Sequence, residues 1–294
     1  MLSSLFAFRG PLGHICLDYY FWVRLIKRFA IFEVLMTKNI YFASDFHLGS
    51  PNHEQSRIRE DRVVRWLNLI EPTCSELFLM GDVFDFWFEY KKVIPKGFIR
   101  LQGKLAAMSD AGIKLYFFKG NHDMWVDDYF VKEMGMQIVS DELVIHRAGK
   151  SFYLHHGDGL GPGDANYRIL RKIFRNPVCR WLFSMVPPRI GLGIANGWSV
   201  KSRNVNIIED EPFLGDKEEW LAVHSKEVLA KQHYDYFIYG HRHLPMIIDL
   251  GDNSFYYNTG DWFNYNSYVV FDGEELSLKY FEKDEAQAIP KNSI

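Results

Sequence analysis

Residues 77–85 have the sequence LFLMGDVFD, an apolar run that ends abruptly in a glycine and two carboxylates. The run 77–80 is wholly apolar and has the length of a buried strand. Gly81 and Asp82 follow directly, and Asp85 lies three residues further on. A buried strand with polar residues at its carboxyl end is typical of α/β proteins, because these proteins bind ligands at that end of their strands.

Four other short apolar runs in the chain end in polar residues in the same way. The five strand-end clusters are Asp45-Phe46-His47, Gly81-Asp82-Val83-Phe84-Asp85, Gly120-Asn121-His122-Asp123, His156-Gly157-Asp158 and Gly240-His241-Arg242-His243. Each cluster alone is a weak signal, since a lone Gly-Asp is usually a turn. Turns do not explain the five clusters together, because the formation of a turn does not require an imidazole side chain. The set predicts one shared site for chemistry.

Helical periodicity separates these runs. Apolar residues recur at helical spacing within residues 59–70, and residues 98–109 have the same character. Strands that alternate with helices predict an α/β layered fold.

The composition of the chain narrows the class of protein. Its 294 residues are 48% hydrophobic and 24% charged, which excludes a mainly disordered or collagen-like chain. The net charge of −3 argues against a general binder of polyanions. Cys16, Cys74 and Cys179 are widely spaced and odd in number, which argues against a disulfide scaffold and for a reducing compartment. The apolar runs are shorter than a membrane-spanning helix needs.

The first 38 residues differ from the rest of the chain. Residues 18–36, DYYFWVRLIKRFAIFEVLM, are aromatic and apolar, but charged residues break the uninterrupted apolar core that a signal peptide needs. Three interpretations stay open: an interfacial amphipathic helix, a helix packed on the domain, or residues that precede a true start at Met36. The expected organisation is an N-terminal extension over 1–38, a domain over 39–281 and a C-terminal tail over 282–294.

Residues 165–206 interrupt the alternation of strands and helices. Their charge of +8, without one acidic residue, contrasts with −11 for the rest of the chain. The basic residues are Arg168, Arg171, Lys172, Arg175, Arg180, Arg189, Lys201 and Arg203. Their helical spacing beside apolar residues favours a helical insertion that binds an anionic membrane surface or a partner. A helical hairpin with a solvated basic face is the alternative. A nucleic-acid groove is disfavoured because the aromatic residues lie in apolar blocks.

The side chains of the five clusters are those that hold Mn, Fe or Zn in proteins. Two divalent ions about 3.5–4 Å apart clamp a phosphate and lower the pKa of a bound water towards 7. Asp82 is suited to bridge such a pair, and the glycines let the backbone approach ions and phosphate closely. A structural zinc site is disfavoured because the clusters contain no cysteine.

In chain order the clusters form the series Asp-x-His, Gly-Asp-x-x-Asp, Gly-Asn-His-Asp, His-Gly-Asp and Gly-His-x-His between residues 45 and 243. This series resembles the calcineurin-like metallophosphoesterase superfamily. The resemblance implies a layered β-sandwich flanked by helices (αββα), with a helical basic lid insertion at 165–206, and two divalent metal ions, with Mn as the expected metal. The ligands that it implies for the first ion are Asp45, His47, Asp82 and His243. Those for the second ion are Asp82, Asn121, His156 and His241.

Within that superfamily the chain is similar to the UDP-2,3-diacylglucosamine diphosphatases of lipid A biosynthesis. The similarity rests on His156-Gly157-Asp158, on residues 161–167 (GPGDANY) and on the basic insertion that follows. It implies a monomer on the cytoplasmic face of the inner membrane that hydrolyses a nucleotide-linked glycolipid to 2,3-diacylglucosamine 1-phosphate and UMP. The substrate contacts that it implies are Asn121, His122, Asp164, Ser199, Arg203 and His241.

One residue departs from this pattern. The lipid A enzymes typically carry Arg at the position of His122, whereas His is the general residue of the superfamily. In the superfamily this His stabilises the transition state or protonates the leaving group, and the next residue, here Asp123, orients it. The departure leaves open a metallophosphoesterase that acts on another phosphodiester or phosphomonoester, such as a soluble nucleotide or a nucleic acid. A non-catalytic binding module is disfavoured because the sequence contains every expected ligand.

Overall fold

The computed structural model describes residues 38–161, 165–191, 193, 213, 215 and 218–282. Our interpretations of the N-terminal extension and of the C-terminal tail therefore lie outside the described residues. The same holds for part of the basic insertion and for three predicted substrate contacts, Asp164, Ser199 and Arg203.

Eleven strands form two sheets in the described part of the chain. The strands are β1 (Asn39–Ala43), β2 (Cys74–Leu79), β3 (Lys114–Phe118), β4 (Gln137–Val139), β5 (Leu143–Arg147), β6 (Lys150–Leu154), β7 (Tyr236–Tyr239), β8 (Met246–Gly251), β9 (Ser254–Asn258), β10 (Ser267–Phe271) and β11 (Leu276–Tyr280). The first sheet has the order β11-β10-β1-β2-β3-β4, and the second has the order β5-β6-β7-β9-β8. Strands β1 to β4 pair in parallel, as do β6, β7 and β9.

Six α-helices whose bounds lie within the described residues accompany these strands. They are α1 (His53–Ile70), α2 (Ile99–Asp110), α3 (Tyr129–Met134), α4 (Ala165–Arg175), α5 (Pro177–Ser184) and α6 (Trp220–Leu229). Helix α1 begins six residues before the periodic segment that predicted it, because the Asn52 side chain caps it by accepting a hydrogen bond from Gln55 N. Its first turns are polar and exposed, so they add nothing to the apolar periodicity from which the helix was predicted.

The two sheets pack face to face, with helices on both outer faces. Between the sheets, Phe42 and Phe78 of the first meet Phe152 and Ile238 of the second in one buried apolar cluster. Alternate residues of the first sheet face α1, α2 and α3 in a second cluster. On the outer face of the second sheet, Leu221 and neighbouring residues of α6 pack against a third. The α/β layered αββα architecture is therefore confirmed.

The strands that carry the polar clusters are buried on both faces. In β1 every residue from Ile40 to Ala43 is buried, and β7 is buried along its whole length. A strand covered on both sides has no solvent face, so its sequence is a continuous apolar run rather than an alternating one. This is why short apolar runs sufficed to locate these strands, whereas the half-exposed β4 and β5 were not predicted.

A chain that begins at Met36 is expected to fold and to hydrolyse bis-p-nitrophenyl phosphate in a metal-dependent way. All the candidate ligands follow Met36, and β1, which begins at Asn39, pairs on one side with β2 and on the other with β10. Circular dichroism and turnover of the diester, compared with the full chain, measure the effect. An insoluble or inactive product would show that the first 35 residues belong to the core.

Among the described residues, no helix has both the length and the apolar character needed to cross a membrane.

Candidate metal centre

The five strand-end clusters come together at one edge of the two sheets. The parallel strands of each sheet point their carboxyl ends in the same direction, where α/β proteins bind ligands. Backbone hydrogen bonds join neighbouring clusters within each sheet. His47 N donates to the Asp82 carbonyl oxygen at 2.9 Å, and Gly240 N donates to the His156 carbonyl oxygen at 2.9 Å.

Five of the predicted ligands have an unusual backbone conformation. Asp45, His47, Asp82, His241 and His243 all have positive φ, between 41° and 65°. Residues other than glycine rarely adopt this left-handed region, and such strain costs of order 1–3 kcal/mol for each residue. Strained residues persist where the surrounding structure holds them, and they concentrate at functional sites. The five residues with a strained backbone are thus all among the metal ligands that the sequence predicted.

The first group of converging side chains consists of Asp45, His47 and His243. Asp45 Oδ1 lies 3.2 Å from His243 Nε2 and 3.6 Å from His47 Nε2. The two imidazole nitrogens, His47 Nε2 and His243 Nε2, are 3.1 Å apart. Asp45 follows a strand of the first sheet and His243 a strand of the second, so this group joins the two sheets.

The second group consists of Asp82, His156 and His241, whose ligand atoms lie within 4.8 Å of one another. His156 Nε2 is 3.5 Å from Asp82 Oδ2 and 3.3 Å from Asn121 Oδ1. The structure thus brings Asn121, the fourth predicted ligand of the second ion, to the same imidazole nitrogen.

Asp82 lies between the two groups. Its Oδ2 is 3.6 Å from His47 Nε2 on one side and 3.5 Å from His156 Nε2 on the other. Its Oδ1 accepts a hydrogen bond from His122 N at 2.9 Å. The side chain is almost completely buried. One carboxylate oxygen at similar distances from a histidine of each group has the placement expected of a bridging ligand.

The donor set fits divalent cations. Asp45 Oδ1 is buried and has no hydrogen-bond partner among the described residues, although it lies beside two imidazoles. A buried carboxylate oxygen left unpaired costs free energy, and a cation offsets that cost. Buried carboxylates, imidazoles and one amide oxygen, without cysteine, match the oxygen and nitrogen ligands of Mn, Fe or Zn.

The orientation of His156 is fixed by the backbone. Its Nδ1 lies 2.7 Å from the Met80 carbonyl oxygen, and a carbonyl only accepts, so Nδ1 carries the proton. In the neutral ring Nε2 then presents its lone pair towards Asp82 and Asn121. A second hydrogen bond of this kind is the usual means of setting the tautomer of a metal-binding histidine.

Asp45 is held from behind by groups outside the predicted ligand set. Its Oδ2 accepts hydrogen bonds from Ser44 Oγ and, at 2.9 Å, from His241 N. A Cβ on Gly240 would overlap Ser44 Oγ and lie 2.7 Å from Asp45 Oδ2, so only glycine fits there. Likewise, a Cβ on Gly120 would lie 2.6 Å from Asp82 N. The lack of a side chain at these two glycines therefore allows the backbone to pack closely against Asp45 and Asp82.

Burial and charge shift the pKa values of the centre in opposite directions. Burial raises the pKa of Asp45, but the nearby His243 outweighs it and holds that pKa well below its usual value. Burial and the charge of His156 lower the pKa of His241 to about 4. Burial also lowers the pKa of His156, but the Asp82 carboxylate outweighs this effect and raises that pKa to about 10. The Asp82 carboxylate therefore attracts positive charge to this part of the centre.

His122 lies at the edge of the same centre. Its ring is in edge-to-face contact with the ring of His47, with centroids 4.7 Å apart. Its Nδ1 lies 3.0 Å from the Asp85 carbonyl oxygen, which leaves Nε2 for another partner. The ligand atoms of His47, Asp82 and His122 lie within 4.8 Å of one another. His122 therefore lies beside the candidate metal ligands His47 and Asp82.

Asp123 does not have the predicted contact with His122. Its carboxylate is fully buried and accepts hydrogen bonds from Val83 N and Gly120 N, both at 2.8 Å. The His122 ring is instead oriented by the Asp85 carbonyl oxygen. Burial and the Asp82 charge raise the pKa of Asp123 to about 7. The expectation that Asp123 orients His122 is wrong, because its side chain points into the backbone of two loops and joins them.

Several residues that support the centre were not selected from the sequence. Arg59 is buried and donates to the carbonyl oxygens of His47 at 2.9 Å and Ser50 at 3.0 Å, which holds the loop after β1. Asp261 Oδ2 lies 4.0 Å from His243 Nδ1. Asp261 follows Gly260 just after β9, so the same strand-end signal was present there. Arg59 lies on a helix and carries no such signal.

A model of the calcineurin-like phosphoesterase family matches residues 38–245 of the chain. That range contains every predicted ligand.

Similar curated proteins share one name. A "UDP-2,3-diacylglucosamine hydrolase" of Porphyromonas gingivalis is 39% identical over 259 residues, which cover 84% of this chain and 99% of that protein. A protein of the same name from Aeromonas salmonicida is 30% identical over 81% of this chain and 91% of its own length. Another from Edwardsiella ictaluri is 28% identical over 81% of this chain and 90% of its own length.

Proposed function

The chain belongs to the calcineurin-like phosphoesterase family, and we propose that within it the protein hydrolyses the diphosphate of UDP-2,3-diacylglucosamine. The products are 2,3-diacylglucosamine 1-phosphate and UMP, as in lipid A biosynthesis. The observation that carries the proposal is the pair of His/Asp groups with the Asp82 carboxylate placed between them. Similar proteins that bear this substrate's name over most of their length support it.

Two divalent metal ions, with Mn as the proposed metal, are bound by the two groups. Asp45, His47, Asp82 and His243 hold the first ion. Asp82, Asn121, His156 and His241 hold the second. When bound, the ions supply Lewis-acid polarisation of the phosphoryl oxygens and a water molecule of lowered pKa.

The chain's own residues position the diphosphate and supply protons. Asn121, His122 and His241 contact the substrate in our proposal. In its doubly protonated form His122, with Nδ1 donating to the Asp85 carbonyl oxygen, donates from Nε2 to the phosphoryl group or the leaving oxygen. Asp123 acts indirectly, because it joins the loops that carry Asp82 and His122. The further proposed substrate contacts are Asp164, Ser199 and Arg203.

Helices α4 and α5 lie in the described part of the proposed lid, whose full extent is residues 165–206. Phe174 and Phe183 of these helices pack against Phe88 and Trp125 beside the metal centre. The side chains that α4 and α5 leave exposed are largely apolar, and Trp181 is 58% exposed. The others are Ile169, Ile173, Val178 and Leu182, followed by Met185. Such a surface suits acyl chains and the interface of a lipid bilayer.

Most of the described basic residues of α4 and α5 face the rest of the domain. Arg175 pairs with Asp141 at 2.7 Å, and Arg180 pairs with Asp127 at 3.0 Å. Arg168 donates to the Gly161 carbonyl oxygen at 3.1 Å. A membrane contact of this insertion therefore involves the basic residues that remain exposed. Arg171, Arg175 and Arg180 lie on the side of the helices that packs against acidic groups of the domain. Arg168 and Lys172 of α4 are exposed, as is Arg189, which follows α5.

The double substitution Lys172→Gln/Arg189→Gln is expected to weaken binding to phosphatidylglycerol vesicles by up to about 30-fold. Each basic residue near an anionic leaflet contributes about 1 kcal/mol, and 1.4 kcal/mol is a factor of ten. Added salt should weaken binding of the wild-type protein in the same sense, since exposed charges are screened. Vesicle sedimentation measures the effect.

The matched control for this prediction is Lys226→Gln/Lys231→Gln, which removes two exposed lysines near the end of α6. It should leave vesicle binding unchanged. Equal loss in both double variants would indicate a response to net charge, and no loss in either would contradict a membrane-facing role for the lid.

We propose that the protein is a cytoplasmic monomer, bound peripherally to the cytoplasmic face of the inner membrane. Its catalytic domain spans 39–281, after an extension over 1–38 and before a tail over 282–294. The apolar outer face of α4 and α5 supports the peripheral association.

A second candidate function is hydrolysis of another phosphodiester or phosphomonoester, and His122 favours it. The lipid A diphosphatases typically carry Arg at this position, as described above. Product analysis distinguishes the two functions: UDP-2,3-diacylglucosamine and bis-p-nitrophenyl phosphate are incubated with the protein, with and without Mn. Metal-dependent release of UMP from the glycolipid supports the first function. Turnover of the small diester alone would contradict it.

A further inference from the structure

Asp158 lies between the metal centre and helix α4. It is the third residue of His156-Gly157-Asp158, two positions after a proposed ligand, and its side chain is almost fully buried. None of the functions described above uses its carboxylate. Burying a charged carboxylate is costly unless it is paired, so its position needs a reason.

On one side the Asp158 carboxylate binds α4. Tyr167 Oη donates to Asp158 Oδ2 at 2.7 Å, and Arg171 Nε lies 3.4 Å from the same oxygen. Arg171 also donates to the Asp158 carbonyl oxygen at 3.3 Å. Gly159, the residue after Asp158, has a φ of +76°, and a Cβ at this position would lie 3.5 Å from the Tyr167 ring. The loop and the first turns of α4 are thus in direct contact.

On the other side the same short loop is packed against the metal ligands. Gly157 has φ of +123°, and a Cβ there would lie 3.1 Å from His241 Cβ. The His156 carbonyl oxygen accepts a hydrogen bond from Gly240 N, and His156 Nδ1 is hydrogen-bonded to the Met80 carbonyl oxygen. Three consecutive residues therefore carry a proposed metal ligand at one end and the attachment of α4 at the other.

The other ionic contacts of α4 and α5 are at the surface. Asp141, which pairs with Arg171 and Arg175, and Asp127, which pairs with Arg180, are both more than half exposed. Exposed pairs of this kind contribute about 0–1 kcal/mol. The bond from Tyr167 to Asp158 differs, because its acceptor is buried and charged, and hydrogen bonds to charged groups are stronger and more directional.

We propose that Asp158 is a positioning residue, which through Tyr167 and Arg171 sets the orientation of α4 relative to the metal ligand His156. A substrate whose acyl chains lie against the lid then presents its diphosphate to the metal centre at a fixed distance. The inference rests on the proposed function for its lipid substrate. The contacts themselves, in which one short loop joins α4 to the ligand His156, do not depend on the proposed function.

The test compares two substrates in the Mn-loaded protein. Tyr167→Phe removes the hydroxyl and keeps the ring, and Asp158→Asn removes the charge and keeps the shape. Each variant is expected to lower kcat/KM for UDP-2,3-diacylglucosamine by about 10- to 100-fold, as expected for losing a hydrogen bond to a buried charge. Metal content and turnover of bis-p-nitrophenyl phosphate should stay close to wild type, since that diester is too small to use the lid.

The matched control is Tyr153→Phe, which removes another tyrosine hydroxyl bonded to a carboxylate, Glu142, at 2.6 Å. It lies on β6, outside α4, and should change neither substrate. The double variant Asp158→Asn/Tyr167→Phe should be no worse on the lipid substrate than the poorer single variant, because both singles break the same bond. Equal loss on both substrates in Tyr167→Phe would overturn the proposal.

A second measurement needs no substrate. In Tyr167→Phe, amide hydrogen exchange should quicken over α4 and remain unchanged over α2, which is remote from this contact. If the wild-type protein released no UMP from the lipid substrate, the proposed function would fail, and the exchange result would still decide the positioning role. Unchanged exchange over α4 would overturn that role whatever the substrate.

Discussion

Asp82→Ala is expected to abolish hydrolysis of both the lipid substrate and bis-p-nitrophenyl phosphate. Asp82 Oδ2 lies 3.6 Å from His47 Nε2 and 3.5 Å from His156 Nε2, so in our proposal removal of this one side chain takes a ligand from both ions. The contact from His122 N to Asp82 Oδ1 is lost as well. No other described carboxylate joins both groups of histidines.

The measurement is kcat at saturating Mn, together with metal content by mass spectrometry. Asp82→Asn serves as a second variant, because it preserves volume if the alanine variant fails to fold. Asp235→Asn is the matched control: that carboxylate accepts hydrogen bonds from Ser151 near the start of β7, away from the centre. Retention of more than a few per cent of the wild-type rate in Asp82→Ala would refute the bridging role.

The same reasoning applies to the ligands that serve one ion. His241→Ala and His243→Ala should also lose activity, but excess Mn is expected to restore part of it. Each removes one ligand from one ion and leaves the other ion's ligands intact, so weakened affinity is overcome by mass action.

His122→Ala is expected to lower kcat by roughly 10²–10⁴-fold, the usual contribution of a positioned general acid or hydrogen-bond donor. The His122 ring contacts His47 and is oriented by the Asp85 carbonyl oxygen. In our proposal it acts on the substrate rather than on the ions. Metal content should therefore remain nearly unchanged while turnover falls.

Metal content measured beside turnover decides between two roles for His122. Its ligand atom lies within 4.8 Å of those of His47 and Asp82, so it is close enough to the centre for a ligand role to be tested. Loss of metal in proportion to activity would make His122 a ligand. His224→Ala, at a half-buried histidine on α6, controls for the loss of an imidazole elsewhere and should leave both quantities unchanged.

The location of the site was predictable because each part of the signal is local. An apolar run such as 77–80 is continuous in sequence because its strand is buried on both faces. The residues that follow it enter a loop at the carboxyl end, where parallel strands place ligands. Five such segments identify both the sheet edge and its chemistry without any knowledge of which strands are neighbours.

The lid contacts were not predictable in this way. The sequence shows basic residues at helical spacing in α4, but spacing alone does not say which side of a helix meets the domain. Arg171 and Arg175 turn towards Asp141, a residue about thirty positions away that no local pattern links to them. Several apolar residues, which a sequence would place inward, are left exposed, Trp181 and Leu182 among them.

The sequence by itself determined the layered α/β class, the five strand-end clusters and the metal-binding character of their side chains, because residue type and local periodicity suffice for these. Only the tertiary structure decided the pairings that span long stretches of chain. It placed the Asp82 oxygen between His47 and His156, it directed Asp123 into the backbone of two loops, and it joined Asp158 to α4. Such contacts depend on the packing of one sheet on the other and of the helices on both, which sets distances that no single segment encodes.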